Sequence, residues 1–187
     1  IVVRENERLS EVVSTTVPFV VGVRAITQDV VYQGVGFIIT NDGLIATSND
    51  LLLGGALYEV VRGDTRFTAT IEKRDSVSGI AILKIDAGNL PVVRFEEDVP
   101  RLGELIYLLG VDISRDGVTP YVETGIVRKV TEDSFETTVK SLLFTSSGSP
   151  VFNLEERVAG LTLVRKGVVS VVPIEKVKEV LELSLVE

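Results

Sequence analysis

Histidine is absent from this 187-residue chain, and so are cysteine, methionine and tryptophan. Without histidine the chain lacks the commonest general base and the commonest transition-metal ligand, so no histidine-dependent mechanism can be completed within it. Without cysteine it has no disulfide, thiolate nucleophile or zinc–thiolate site, although cysteine-free chains occur in every redox compartment. Lys and Arg number 19 against 27 Asp and Glu, a formal net charge of −8. The basic residues form no cluster along the chain, which excludes nucleic acid as a partner because phosphates demand one. The longest apolar runs fall well short of a membrane span, so this chain is not expected to insert into a membrane. It opens at Ile1 rather than Met and carries no signal peptide, the expectation being a fragment or processed form whose targeting segment or anchor lies elsewhere.

What is present is a chain with 45% hydrophobic residues, too apolar to stay disordered and long enough for one large core or two small barrels. Arg4 to Val13 has the spacing of a short amphipathic helix through Leu9, Val12 and Val13. Short Val/Ile/Leu-rich runs broken by turn residues then predict strands over Phe19–Ile26, Gly34–Thr40, Leu44–Thr47, Leu57–Val61, Phe67–Glu72, Ile80–Ile85 and Val92–Phe95. Asn41-Asp42-Gly43 between two of them reads as a hairpin turn, since Asn and Gly tolerate positive φ. A second set covers Leu105–Leu109, Val122–Val130, Ser134–Thr138, Val151–Asn153, Val158–Val164 and Val168–Val172. Pro173 opens a helix over Ile174–Leu183. Regularly spaced strands without intervening helices predict an all-β architecture: two barrels, then a C-terminal helix. Val20, Ile38, Ile82, Leu83 and Leu161 are expected in the core.

Three stretches resemble, in order and spacing, the HtrA/Deg branch of trypsin-like serine proteases. Gly34-Val35-Gly36-Phe37-Ile38-Ile39 with Asp42-Gly43-Leu44-Ile45-Ala46-Thr47-Ser48-Asn49 is similar to the segment that ends in the family's catalytic histidine, where this chain has Asp50. Asp75-Ser76-Val77-Ser78-Gly79-Ile80-Ala81-Ile82-Leu83-Lys84-Ile85 is similar to the segment whose second aspartate orients that histidine, and Gly79 stands there. Thr145-Ser146-Ser147-Gly148-Ser149-Pro150-Val151-Phe152-Asn153 is similar to the nucleophile segment, with Ser147 at the nucleophile position and Val158-Ala159-Gly160-Leu161 following. Asn89-Leu90-Pro91, Leu102-Gly103-Glu104, Gly125-Ile126-Val127 and Pro173-Ile174 extend the likeness over nearly the whole chain. The resemblance implies one trypsin-like protease domain over residues 1–187. It has two six-stranded antiparallel barrels: an N-terminal helix and first barrel to about residue 98, and a second barrel and C-terminal helix over about 99–187. No PDZ domain is present in the chain.

The same resemblance implies a failed catalytic centre, a pseudoprotease. The mechanism needs an imidazole to take the serine proton and return it to the leaving amine, with a third group fixing its tautomer. An ordinary carboxyl group titrates near pH 4, so a carboxylate at position 50 is a weak base and an empty acid reservoir at neutral pH. Gly79 offers no orienting side chain. Thr145, followed by Ser146, replaces the family's oxyanion-hole glycine, and a β-branched residue tolerates the required backbone poorly. One such donor is worth roughly 3–4 kcal/mol of barrier. Ser147 therefore reads as a solvated loop serine, in preference to a nucleophile activated by Lys140, Asp50 or a partner chain. Asp50 reads as a polar residue filling the vacated cleft, in preference to a carboxylate for a cationic ligand. Asp42, Asp50 and Asp75 match no calcium loop, and neither metal nor cofactor is implied.

The expected function is binding of a peptide or protein, or scaffolding, with Leu161, Thr162, Leu163, Val164 and Arg165 as the strand nearest a ligand. The following loop, Lys166-Gly167, is short, which disfavours a formed specificity pocket. A serine endopeptidase with a non-histidine base and an oligomerisation module of a membrane-tethered protein are the alternatives. By the resemblance, Ile1–Phe19 is expected to support a homotrimer, and the setting is expected to be extracytoplasmic or periplasmic.

Overall fold

A computed structural model describes residues 2–131, 134–140, 144–166 and 168–185. Helix α1 (Val2–Thr16) leads through a short 3-10 turn into β1 (Val20–Ile26), β2 (Val31–Ile38), β3 (Leu44–Ser48), β4 (Leu57–Arg62), β5 (Thr65–Asp75) and β6 (Ile80–Ile85). These six strands close into an antiparallel barrel in the order β1-β2-β3-β6-β5-β4. The second lobe contains β8 (Leu105–Ser114), β9 (Gly117–Val130), β10 (Phe135–Thr137), β11 (Pro150–Asn153), β12 (Arg157–Arg165) and β13 (Val168–Pro173), in the order β10-β9-β8-β11-β12-β13. Its edge strands β10 and β13 come together without forming a ladder, so this lobe is a curled half-barrel where the first is closed. Strand β7 (Arg94–Phe95), on the first-lobe side of the boundary expected near residue 98, pairs in parallel with β12 of the second lobe. Helix α2 (Ile174–Leu185) follows β13 directly.

Strands β1, β3 and β6 of the first barrel are rich in apolar residues along their whole length because both of their faces are largely buried, whereas β5 alternates and turns one face outward. Val21 and Val23 of β1, Ile45 of β3 and Leu83 of β6 fill the barrel. Their neighbours Val20, Leu44, Ala46 and Ile82 point the other way, into a layer shared with Tyr107, Phe152 and Leu161 of the second lobe. Helix α2 adds Ile174, Val177 and Val180 to this layer, and α1 adds Val12, with Leu9 and Val13 packed beside it. Tyr107 stacks on Phe152, ring centroids 5.3 Å apart, and its hydroxyl meets the buried Thr16 hydroxyl at 3.1 Å. Burial pushes the Tyr107 phenol up to about 12. All five residues expected in the core are buried.

The β8–β9 hairpin is the chief departure from the expected strands. Both arms run well beyond Leu109 and Val122, to a tight turn at Arg115-Asp116. Gly110, Asp112, Gly117 and Pro120 interrupt the apolar pattern there, which hid the extension. Pro120 is tolerated because β10 reaches β9 only over Val127–Val130, leaving β9 an edge at that point. The extended arms lie against the outside of the first barrel. A side chain at Gly22 would collide with Ile113, its Cβ 2.6 Å from two Ile113 carbons, and the Val118 N–H donates to the Gly63 carbonyl at 3.0 Å.

Candidate functional site

The three motifs that carry the resemblance meet around the end of one strand, β12. Asp50 lies in a one-turn 3-10 helix, Asn49–Leu51, started by Ser48, whose hydroxyl accepts the Asp50 N–H at 3.2 Å. The Asn49 N–H donates to the Gly79 carbonyl at 2.8 Å, tying the first motif to the second. Arg74 braces the same turn by donating to the Asn49 side-chain oxygen at 2.7 Å and the Leu52 carbonyl at 2.9 Å. Asp75 caps its own turn, accepting from the Val77 N–H and the Ser78 hydroxyl. The Ser78 hydrogen bond, ahead of the others, holds the Asp75 carboxyl below its ordinary range.

Asp50 is occupied. Arg165, at the end of β12, grips it with Nε at 2.6 Å from one carboxylate oxygen and a terminal nitrogen at 3.0 Å from the other, a two-pronged pair that fixes direction as well as distance. The hydrogen bond to Asp50 also holds the Arg165 guanidinium more firmly protonated. The pair is only partly dry, with side-chain exposures of 57% for Arg165 and 26% for Asp50, so its energetic weight is that of a surface contact.

The space in front of Gly79 is also occupied. Gly79 has φ +78°, and a Cβ there would lie 2.7 Å from a Leu163 methyl and 3.1 Å from a terminal nitrogen of Arg165. A side chain at position 79 thus meets both an unfavourable backbone and the side chains of β12.

Ser147 sits where both lobes hold its loop. Its carbonyl accepts the Val35 N–H of β2 at 3.0 Å, and the next residue, Gly148, donates to the Thr162 carbonyl of β12 at 2.7 Å. Gly148 has φ +89°, and a Cβ there would fall 2.0 Å from the Val35 carbonyl oxygen, so glycine is demanded. The loop packed between two strands leaves Ser147 fully buried, contrary to the solvated serine expected from its Ser/Thr-rich surroundings. Its hydroxyl oxygen receives the Val164 N–H at 3.4 Å. Lys140 is exposed, Asp50 is held by Arg165, and among the described residues neither hydrogen-bonds Ser147. Thr145 and Ser146 lie in a 3-10 turn, Phe144–Ser146. Thr145 is outside the left-handed region that the described non-glycine residues Asn89, Glu156 and Lys166 enter. The Ser146 hydroxyl pairs with the Tyr121 hydroxyl at 2.9 Å, and burial pushes the Tyr121 phenol up.

Of the strand expected to face a ligand, Leu161, Thr162, Leu163 and Val164 are buried and Arg165 is exposed. Strand β13 covers one edge from Gly160 to Arg165. On the other edge the Thr162 N–H donates to the Ser149 carbonyl at 2.9 Å, its carbonyl accepts Gly148, and the Val164 N–H reaches Ser147. Gly167, half of the short loop after this strand, lies outside the described residues. Asp42 belongs to its hairpin turn, bonded by the Thr40 hydroxyl and Lys84. The reading of the residues missed the partnership of Asp50 with Arg165, since nothing in a linear pattern links positions so far apart. In the sequence each carries a separate expectation, Asp50 as a polar filler of the vacated cleft and Arg165 as part of the ligand-facing strand.

Comparison with known proteins agrees with this layout. The trypsin-like peptidase domain family matches residues 34–161. The mitochondrial serine protease HTRA2 of Drosophila willistoni is 30% identical over 167 residues, covering 80% of this chain and 38% of its own. A periplasmic DegP-like serine endoprotease of Marinomonas sp. (strain MWYL1) is 29% identical over 134 residues, covering 68% of this chain and 29% of its own. The chain thus spans well under half the length of these relatives. Among solved structures, the serine endoprotease from Yersinia pestis superposes with a TM-score of 0.81 at 21% identity, over 95% of this chain and 66% of that one. Deg5 superposes with a TM-score of 0.80 at 21% identity, over 94% of this chain and 92% of that one. With the matched motifs, the barrel and half-barrel and the family match in agreement, the chain belongs to the trypsin-like peptidase family, in its HtrA/Deg branch.

Proposed function

We propose that this domain does not cleave peptides and acts instead by binding protein or by scaffolding a larger assembly. The observation that carries the reading is β12 itself: Arg165 holds Asp50, and Leu163 with Arg165 fills the space before Gly79. An acyl-transfer centre needs a base within hydrogen-bond reach of the serine and a group that orients the base. Here the buried Ser147 hydroxyl meets a backbone N–H, and the carboxylate nearest the base position is committed elsewhere. A histidine introduced at position 50 would still lack its orienting carboxylate and would lose the Arg165 contact.

The filled edge of β12 leaves only its exposed last residue, Arg165, for a ligand, so recognition by strand addition along the whole of Leu161–Arg165 is not part of the proposal. Self-association through Ile1–Phe19 and an extracytoplasmic setting belong to the same proposal by likeness to the family. Within that segment Leu9, Val12 and Val13 already pack on this chain's own core. No described helix is long and apolar enough to cross a membrane.

Incubation of the protein with a quenched fluorescent casein, beside a Ser147→Ala variant, tests the reading. The expected result is the same negligible dequenching for both. Turnover by the parent that the variant lacks overturns it.

A further inference from the structure

Outside the protease-like centre, the docking of the β8–β9 hairpin on the first barrel creates a cleft of about 380 Å³ lined by Arg24, Gln33, Arg66, Ile113, Ser114 and Arg115. In a chain of net charge −8 this wall holds three guanidinium groups and no carboxylate. Absence of any basic cluster was the expectation from the sequence, and the fold corrects it by bringing together β1, β5 and the hairpin tip.

The charge there is only partly balanced. Arg24 and Arg66 both donate to one oxygen of Glu59, each at 2.8 Å, so two cations share one carboxylate. Arg66 is otherwise structural: its second nitrogen donates to the Ser114 carbonyl at 2.9 Å and to that of Arg115, pinning the hairpin. The Arg24 side chain is 23% exposed and meets Glu59 through one terminal nitrogen, while its Nε–H is buried without an acceptor. Arg115 is exposed at the turn. The nearest acid by sequence, Asp116, does not line the cleft.

Register places an apolar row beside this wall. Arg24 pairs with Gln33 and Glu59, and two residues along the same strands Ile26 pairs with Val31 and Leu57. Residues two apart share a face and stand about 7 Å apart along a strand. Val31 and Leu57 are exposed, Leu57 to 72%. An extended segment with a carboxylate and a large aliphatic side chain two positions apart presents the same spacing.

We infer that this outer face of the first barrel, from Arg115 and Arg24 to Val31 and Leu57, is a docking site for an acidic–aliphatic peptide segment of a partner protein. The carboxylate sits against the Arg24 and Arg115 guanidiniums, which suit its two oxygens. The aliphatic residue covers the Ile26–Val31–Leu57 row. The inference goes beyond the reading of the protease-like centre and stands whether or not Ser147 reacts.

The test is fluorescence anisotropy of a labelled threonine-rich peptide containing Leu-Thr-Glu, titrated with the full chain. Saturable binding is expected, weakened about tenfold by Arg115→Glu, by Leu57→Ser, or by replacing the peptide's glutamate with glutamine. Circular dichroism should show all variants folded with unchanged melting. Absence of binding, or binding indifferent to Arg115→Glu, overturns the inference. So does a cleft that takes inorganic phosphate, as judged by chemical shifts at Arg115, while ignoring the peptide.

Discussion

Replacing Gly79 should be costly in a way that separates backbone, packing and charge. At φ +78° an alanine carries a left-handed penalty of about 1–2 kcal/mol. Its Cβ, 2.7 Å from the Leu163 methyl, adds an overpacking cost at the low end of about 1–3 kcal/mol, because that methyl is the free end of a side chain. Gly79→Ala should therefore lose about 2–3 kcal/mol, a fall in Tm of about 4–12 °C for a domain of this size. Gly79→Asp should lose about 1 kcal/mol less: aspartate visits the left-handed region more readily, and its carboxylate falls beside the Arg165 guanidinium. Thermal unfolding by circular dichroism, at low and high salt, measures both. The gap between the variants should narrow as salt screens the ion pair. A Gly79→Ala protein melting within about 2 °C of the parent would refute the claim that backbone and β12 together exclude a side chain here.

Gly148→Ala should be worse, by about 3–5 kcal/mol, because its Cβ would meet the Val35 backbone oxygen rather than a movable side chain, and urea unfolding with an unchanged slope would register it. Asp50→Ala should cost at most about 1 kcal/mol, since Arg165 is more than half exposed, and the loss should vanish at high salt in the same assay. For pH, a phenol raised in the folded state contributes stability that is whole below its unfolded pKa and fades as pH climbs toward the folded one. Tyr107, at about 12 against an ordinary 10, should make stability level to about pH 9 and then fall by roughly 2–3 kcal/mol toward pH 12. Melting curves should show Tyr107→Phe weakening this alkaline decline, with the part due to Tyr121 remaining.

The strands were legible in the sequence where both faces are buried. Ile80–Ile85, interrupted only by Lys84, and Leu44–Ala46 with Thr47 announce themselves as short apolar runs, and the structure places strands at those positions. The β8–β9 extension was not, because it is half exposed and built from Asp112, Ser114, Gly117 and Pro120, residues that signal turns when no partner is known. Asp50, Gly79 and Ser147 could be found from ordered motifs, since their spacing is local. Their environment could not. That Arg165 holds Asp50 and that Leu163 blocks Gly79 depends on β12 arriving from more than eighty residues away, and that Ser147 is buried depends on Val35 and Thr162 closing over its loop. The arginine cleft likewise exists only once the hairpin has docked.

The central claim, that Ser147 is not a nucleophile, is tested most directly by exposing the protein to a fluorophosphonate serine probe over a range of pH and reading the intact mass. A Ser147→Ala variant serves as control and an active trypsin-like protease as reference. The account predicts no adduct on this chain at any pH at which it stays folded, while the reference is labelled. A stoichiometric adduct that disappears in Ser147→Ala would contradict it, and would mean that the hydroxyl leaves the Val164 N–H to meet a base.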